Sequence, residues 1–314
     1  MTDLADALTA TGECELIRFH TLSSERAPNE NRLAGRLLWT PLWRRSLGRS
    51  LDGLLPPVDV LHVAGLVTPP TKTTPLIVSV DDLRPLRGES RTHQRITQLR
   101  RAVRNGAVLV ASSRTASHEV QEVLGVPRSQ VVVVLPAVPS VAPTKDGNDL
   151  VVNVTGAVEL FLTMAPDLVN FAASHRARMV VLTSAAVGQR IRASGLSIDV
   201  RPRSDARATL GGARVAVHLS DGARFPSFAI AALAAGVPTV ARSTAINREL
   251  LDGAATLIGS DYDVSATLDD AWASESRRAI MVAAGKARAV DFAPATAARA
   301  YVTLYRDVVR GWEP

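Results

Sequence analysis

With 314 residues the chain has room for two domains of ordinary size, and 46% hydrophobic against 21% charged residues describes a globular protein with a well-filled core. No apolar run reaches the roughly 20 residues of a membrane helix, the acidic start MTDLADALTATGE is unlike a signal peptide, and one cysteine, Cys14, excludes an internal disulfide or a thiolate metal cluster. The formal charge of +6 suits an acidic partner; nucleic acid is not expected, because aromatics are only 4% and no stacking motif accompanies the arginines.

Short β-branched runs alternate with helical patterns along nearly the whole chain, which predicts parallel sheets flanked by helices. The first half offers strands at CELIRF (14–19), VDVLHV (58–63), PLIVSV (75–80), AVLVAS (107–112) and QVVVVL (130–135). Continuous apolar runs of this kind fit strands covered on both faces. Between the third and fourth lies RTHQRITQLRRAVR (91–104), the densest basic run, whose Ile96, Leu99 and Val103 predict an amphipathic helix. Its basic face reads either as a solvated surface or as a site for an anionic acceptor or membrane surface. Ser112–Ser113 predict a helix N-cap, and Gly125 followed by Pro127 predicts where that helix stops.

Residues 136–149, PAVPSVAPTKDGND, resist helix and strand alike and read as an interdomain linker. The expected domains are 1–140, with 295–314 crossing back, and 141–294. Strands resume at LVVNVTG (150–156), ARMVVLTS (177–184), LSIDVRP (196–202), ARVAVHLS (213–220), PTVARS (238–243) and ATLIG (255–259). The tail is an amphipathic helix with Ala298, Val302, Tyr305 and Val309 on its stripe. Ligands of open parallel sheets collect beyond the carboxyl ends of strands. His62, Asp81, Asp82, Ser112, Ser113, Gly156, Ser220 and Asp221 all read as strand-end residues, although capping alone explains polar residues there. The six histidines share no ligand spacing, so no metal site is expected, and no dinucleotide, P-loop or serine-hydrolase signature is present.

Five segments, in order, resemble glycosyltransferase family 4: VDVLHV, PLIVSVDDLRPLR, VLVASSRTASHEVQEVLGVPRSQVVVVLPAV, ARVAVHLSDGARFPSFAIAALAAGVPTVARSTAINRELLDGAATLIG and the tail FAPATAARAYVTLYRDVV. The resemblance implies a GT-B fold, two Rossmann-like α/β domains facing across a cleft with the last helix returning to the first domain. It implies metal-independent, retaining transfer of a sugar from a nucleotide diphosphate sugar, a substrate rather than a cofactor, to a glycan, lipid or small-molecule acceptor.

Carried over residue by residue, the resemblance is incomplete. The first donor-loop acid corresponds to Asp221, one methylene shorter than the family's Glu; the second, eight positions on, corresponds to Ala229. Gly156 is kept, but Ala157 replaces the arginine that faces the diphosphate and no lysine follows in VTGAVELFLTMAPDL. Asp81 stands where the family has a cleft histidine. The implied site is therefore Asp221 and Asp81 as catalytic carboxylates, Gly156, Ser220, Gly222, Ala223, Arg224, Phe225 and Ala229 around the donor, and His62 and Asp82 on the acceptor side, with Arg224 or Arg242 as substitute cations. Two readings stay open: an active transferase, or a degenerate one serving as partner or regulatory subunit. The family's first strand and glycine-rich loop have no counterpart before DLADALTAT (3–11), so CELIRF and VDVLHV are expected to leave an apolar edge inviting association, with itself or with a complete transferase, through the N-terminal domain. A cytoplasmic setting, with peripheral contact at the inner membrane face as an alternative, completes the expectation.

Overall fold

The computed structural model describes residues 2–20, 31–32, 42–43, 49–64, 68–80, 82, 84–88, 92–139, 141–142, 147–196, 198–259 and 264–312. The chain divides into two compact units, one of Met1–Ala137 with Pro294–Pro314 and one of Val138–Ala293.

Unit 1 opens with helix α1 (Thr2–Thr11) and a two-residue parallel pairing of β1 (Phe19–His20) with β2 (Asn31–Arg32). Its main sheet is parallel, in the order β3 (Leu61–Ala64), β4 (Leu76–Val80), β5 (Val108–Ala111), β6 (Val131–Val133). The period-two alternation of side chains sends β4 to both faces. Leu76, Val78 and Val80 join one core with Leu99 and Val103 of α2 (Thr92–Arg104) and Val120 of α3 (Arg114–Leu124). Ile77 and Val110 join the other, under Leu4, Leu8 and the C-terminal helix Pro294–Arg310. The last helix thus returns to the first sheet as expected. Its buried line runs through Ala297, Ala298, Tyr301, Val302 and Leu304, and Val309 is 40% exposed. Of the stripe the sequence suggested, Ala298 and Val302 are buried and Tyr305 packs on the same core, which α1 shares with the sheet; only Val309 stands out of it.

The caps of α3 follow the local sequence: the Ser113 hydroxyl accepts the Ala116 N–H at 3.0 Å, and Gly125 closes the helix in the left-handed region. CELIRF is a correction. Only Phe19 of that run is in a strand: Cys14 and Leu16 lean on one core and Phe19 on the other, as in a strand, but among the described residues no strand of the four-stranded sheet pairs with them.

Unit 2 holds a six-stranded, wholly parallel sheet. In chain order its elements are β7 (Asp149–Thr155), α4 (Val158–Ser174), β8 (Arg178–Thr183), α5 (Ala185–Ala193), β9 (Asp199–Pro202), α6 (Ala206–Leu210), β10 (Ala213–Ser220), α7 (Ser227–Ala234), β11 (Thr239–Arg242), α8 (Ala245–Leu251), β12 (Thr256–Ile258), α9 (Val264–Ala273) and α10 (Glu275–Ala289). The spatial order is β12-β11-β10-β7-β8-β9. From β7 the chain winds outward to β8 and β9, then returns to the other side of β7 to lay down β10, β11 and β12. The reversal falls between β7 and β10, and their carboxyl ends are where a doubly wound sheet opens a crevice for ligands.

No helix of the described residues is long and apolar enough to cross a membrane.

Candidate functional site

Strands β7 and β10 are buried at all but one position each, and seven paired positions run from Ala213↔Asp149 to Ser220↔Thr155. Asn153 and His218 face each other in that register, both 3% exposed, with Asn153 Oδ1 3.0 Å from His218 Nδ1. An amide oxygen only accepts, so Nδ1 carries the proton. Burial pushes the His218 pKa down to about 4, keeping the ring neutral beside Phe228. The pair fixes the two strands where the sheet reverses.

Beyond it the two strand ends are locked together. Gly156 bridges to Ser220, and the Asp221 N–H donates to the Thr155 carbonyl at 3.0 Å. Gly156 has φ +78°, and a Cβ there would lie 1.9 Å from Asp221 Oδ2. Both facts require glycine. The other carboxylate oxygen, Oδ1, accepts the Ala223 N–H at 2.9 Å, an Asx turn that shapes the loop. Gly222, at φ +75°, lets the loop pass against Thr244.

The donor-side residues have different fates. Gly156, Ser220, Asp221, Gly222 and Ala223 converge on this junction. Ser220 is 1% exposed and its hydroxyl receives Asn247 Nδ2 at 3.3 Å. Ala223 is 2% exposed and contributes through its backbone. Arg224 and Phe225 are half-buried on the loop, Phe225 lying 5.8 Å from the Phe292 ring. Ala229 is fully buried on α7, whose accessible stripe runs instead through Ser227, Ala231 and Ala234. Its methyl faces packed side chains rather than an opening. Ala157 is buried too, at 6%, and the α4 N-terminus that follows it has no side-chain cap.

Two groups at the junction carry more than the sequence indicated. Arg242, half-buried at the end of β11, donates from Nη1 to the Ser220 carbonyl at 3.1 Å, which brings a guanidinium to the reversal point. Asn247 is fully buried; its Nδ2 also donates to the Arg242 carbonyl at 2.8 Å, and its Oδ1 has no partner among the described residues. The sequence signal for Asn247 is only its place three residues after the Thr244 cap, whose hydroxyl accepts the Asn247 N–H.

In unit 1, His62 is the second residue of β3, not its end. Its Nδ1 lies 2.8 Å from the Tyr305 hydroxyl and its Nε2 2.8 Å from Ser79 Oγ. Tyr301 and Tyr305 pack around the ring, and burial holds its pKa near 4. Both nitrogens are thereby engaged within the unit. The Asp82 carboxylate is gripped by Arg84, with Oδ2 2.6 Å from Nη2. Ser112 and Ser113 are buried, the latter as a cap. Asp81 lies outside the described residues. Among the described residues no group of three or more His, Cys, Asp or Glu is arranged to hold a metal ion.

No protein-family model matches the chain, and no curated protein sequence does. Solved structures do. TarM of S. aureus superposes with a TM-score of 0.61 at 9% identity, over 74% of this chain and 50% of that one. Anabaena HepE in complex with UDP and glucose gives 0.57 at 17% identity, over 74% and 72%. Sucrose-phosphate synthase of Thermosynechococcus elongatus gives 0.59 at 13% identity, over 76% and 68%. The chain therefore spans half the length of TarM and about 72% of HepE. Identities this low establish a shared architecture, and the architecture is that of the GT-B glycosyltransferases, with two Rossmann-like domains built on parallel sheets.

Proposed function

We propose that unit 2 receives a nucleotide diphosphate sugar at the carboxyl ends of β7 and β10, and that the protein is a glycosyltransferase or a close derivative of one. The observation that carries this is the position of the Gly156–Asp221 junction at the point where the sheet reverses direction. Gly156 and Gly222 let the loop fold tightly against Asp221 and Thr244, which shapes the strand ends at that point. Arg242 takes the part of the cation beside the diphosphate. In transfer, the bond from the anomeric carbon to the diphosphate oxygen breaks as the acceptor oxygen bonds that carbon and gives up its proton. Negative charge collects on the leaving diphosphate, which is where a fixed guanidinium acts. The reading includes transfer without a metal ion, in the cytoplasm, with 141–294 as the donor side and 1–140 as the acceptor side.

A second reading has its own support. Ala157 and Ala229 are buried methyl groups where the family resemblance calls for a cation and an acid. A domain so altered fits a partner or regulatory subunit that binds a donor weakly or not at all, associating through the N-terminal domain.

Calorimetry with UDP-glucose and other common nucleotide sugars tests both. The expected outcome is binding in the high micromolar range or weaker, since two lost charged contacts at about 1.5–3 kcal/mol each weaken affinity at least ~100-fold. Arg242→Ala is expected to weaken it by a further ~10-fold or more. Sub-micromolar binding overturns the idea of an impaired donor site; binding untouched by Arg242→Ala removes that residue's role. Sugar release into an acceptor separates the first reading from the second.

A further inference from the structure

The basic helix α2 does not turn all its arginines to water. Arg100 and Arg104 are exposed, and Arg100 donates to the carbonyls of Val123 and Leu124 at 3.0 and 2.9 Å, a capping use that needs no ligand. Arg95 lies instead on the inward stripe with Gln98, Leu99 and Ala102, and retains 7% of its surface. Its hydrogen-bond partner among the described residues is Thr68 Oγ1, 3.0 Å from Nη1. No carboxylate among the described residues forms an ion pair with it, and burial pushes its pKa down to about 10.

A guanidinium has five N–H donors and a charge it does not shed. Taking such a group out of water is costly unless an anion and further acceptors meet it. A methionine or leucine at 95 would complete the inward stripe without that cost, so packing does not account for the cation.

We propose that Arg95 and Thr68 form an anion site in unit 1 that takes the phosphoryl group of a small phosphoester or a phospholipid headgroup. The planar fork of Arg95 receives two phosphoryl oxygens. The Thr68 oxygen already accepts from Arg95, so its own O–H is turned to a third. Three donors match the three terminal oxygens of a phosphoryl group better than the two of a carboxylate. Thr68 also lines a surface depression with Pro70, Gln98, Arg101 and Asn105, which gives the rest of the ligand a place to lie. The site belongs to unit 1 alone and does not rest on the donor reading of unit 2.

The test is thermal unfolding of the full chain in inorganic phosphate against chloride at matched ionic strength. The wild-type midpoint rises saturably with phosphate, Arg95→Met abolishes the rise, and Thr68→Val weakens phosphate binding by about tenfold. If Arg95→Met does not fold, Arg95→Lys carries the same test: it keeps the charge, loses the fork, and is expected to bind more weakly than wild type. No phosphate effect on the wild type overturns the site, as does an equal effect on wild type and variants. Co-sedimentation with phosphatidic-acid vesicles, against phosphatidylcholine alone, identifies the source. Arg95-dependent capture points to a headgroup; a phosphate effect without capture points to a soluble phosphoester.

Discussion

In unit 1 the histidine of β3 spends one ring nitrogen on Tyr305 and the other on Ser79, and Asp82 is closed by Arg84. In unit 2 the histidine of β10, His218, meets Asn153 through one nitrogen, and its Nε2 has no partner among the described residues. The Asn247 amide oxygen beside Ser220 is likewise unmatched. The two sheets carry similar polar residues, but the first uses them to fasten its return helix, while the second keeps unspent capacity at the point where its strand order reverses. A polar residue near a strand end becomes a ligand group only when hydrogen bonding is left over after the fold has taken its share.

The comparison breaks first at Gly156. Gly156→Ala places a methyl group in left-handed backbone and against the Asp221 carboxylate, and is expected to destabilise unit 2 by about 2–4 kcal/mol while leaving unit 1 unchanged. Hydrogen exchange followed segment by segment reads the two units separately. Equal loss of protection in 61–133 would show that the junction does not belong to unit 2 alone.

A smaller effect sharpens the unit 1 side. His62→Phe keeps a ring but strands the buried hydroxyls of Ser79 and Tyr305, at about 1–3 kcal/mol. It also alters the pH response. His62 and His218 both titrate near 4 in the fold against an ordinary 6.5, so between these values the unfolded chain binds protons the folded chain refuses. Stability is complete above pH 6.5 and falls towards pH 4 by up to about 1.4 kcal/mol per pH unit for each ring. Exchange at pH 7.5 and 5 should show His62→Phe removing the decline from unit 1 and sparing that of unit 2. A decline persisting in unit 1 would assign it to other groups.

The smallest effect concerns Asp221. Asp221→Asn retains an oxygen for the Ala223 N–H and is expected to change stability by under about 0.5 kcal/mol, whereas Asp221→Ala loses the turn and about 1 kcal/mol. Urea unfolding measures both. If Asn costs as much as Ala, the carboxylate charge holds the loop; if Asn preserves the fold and abolishes sugar transfer, the charge belongs to the chemistry.

Much of this architecture was legible beforehand. The runs 75–80, 107–112, 150–156 and 213–220 became buried parallel strands because an unbroken β-branched apolar run has few other ways to hide both its faces. Ser113 and Gly125 bounded their helix because capping depends on residues a few positions apart. Misjudged features depended on distant partners: CELIRF had the strand pattern, but only Phe19 met a ladder, and that with β2, while Val309 at the end of the tail stripe stayed outside the core.

Amino-acid order by itself therefore determined the alternation of strand and helix, the Ser113 cap and the Gly125 stop, since these follow from backbone sterics and side-chain period over a few residues. Tertiary structure alone decided which polar groups were spent. His62 lies 243 positions from the tyrosine that engages it, and Arg95 lies 27 from the threonine that it meets. Nothing in the local pattern of a basic helix says which arginine faces inward, because that rotation is set by the sheet beneath it. Burial and partnering are properties of three-dimensional neighbourhoods, and they separate a capped strand end from a binding site.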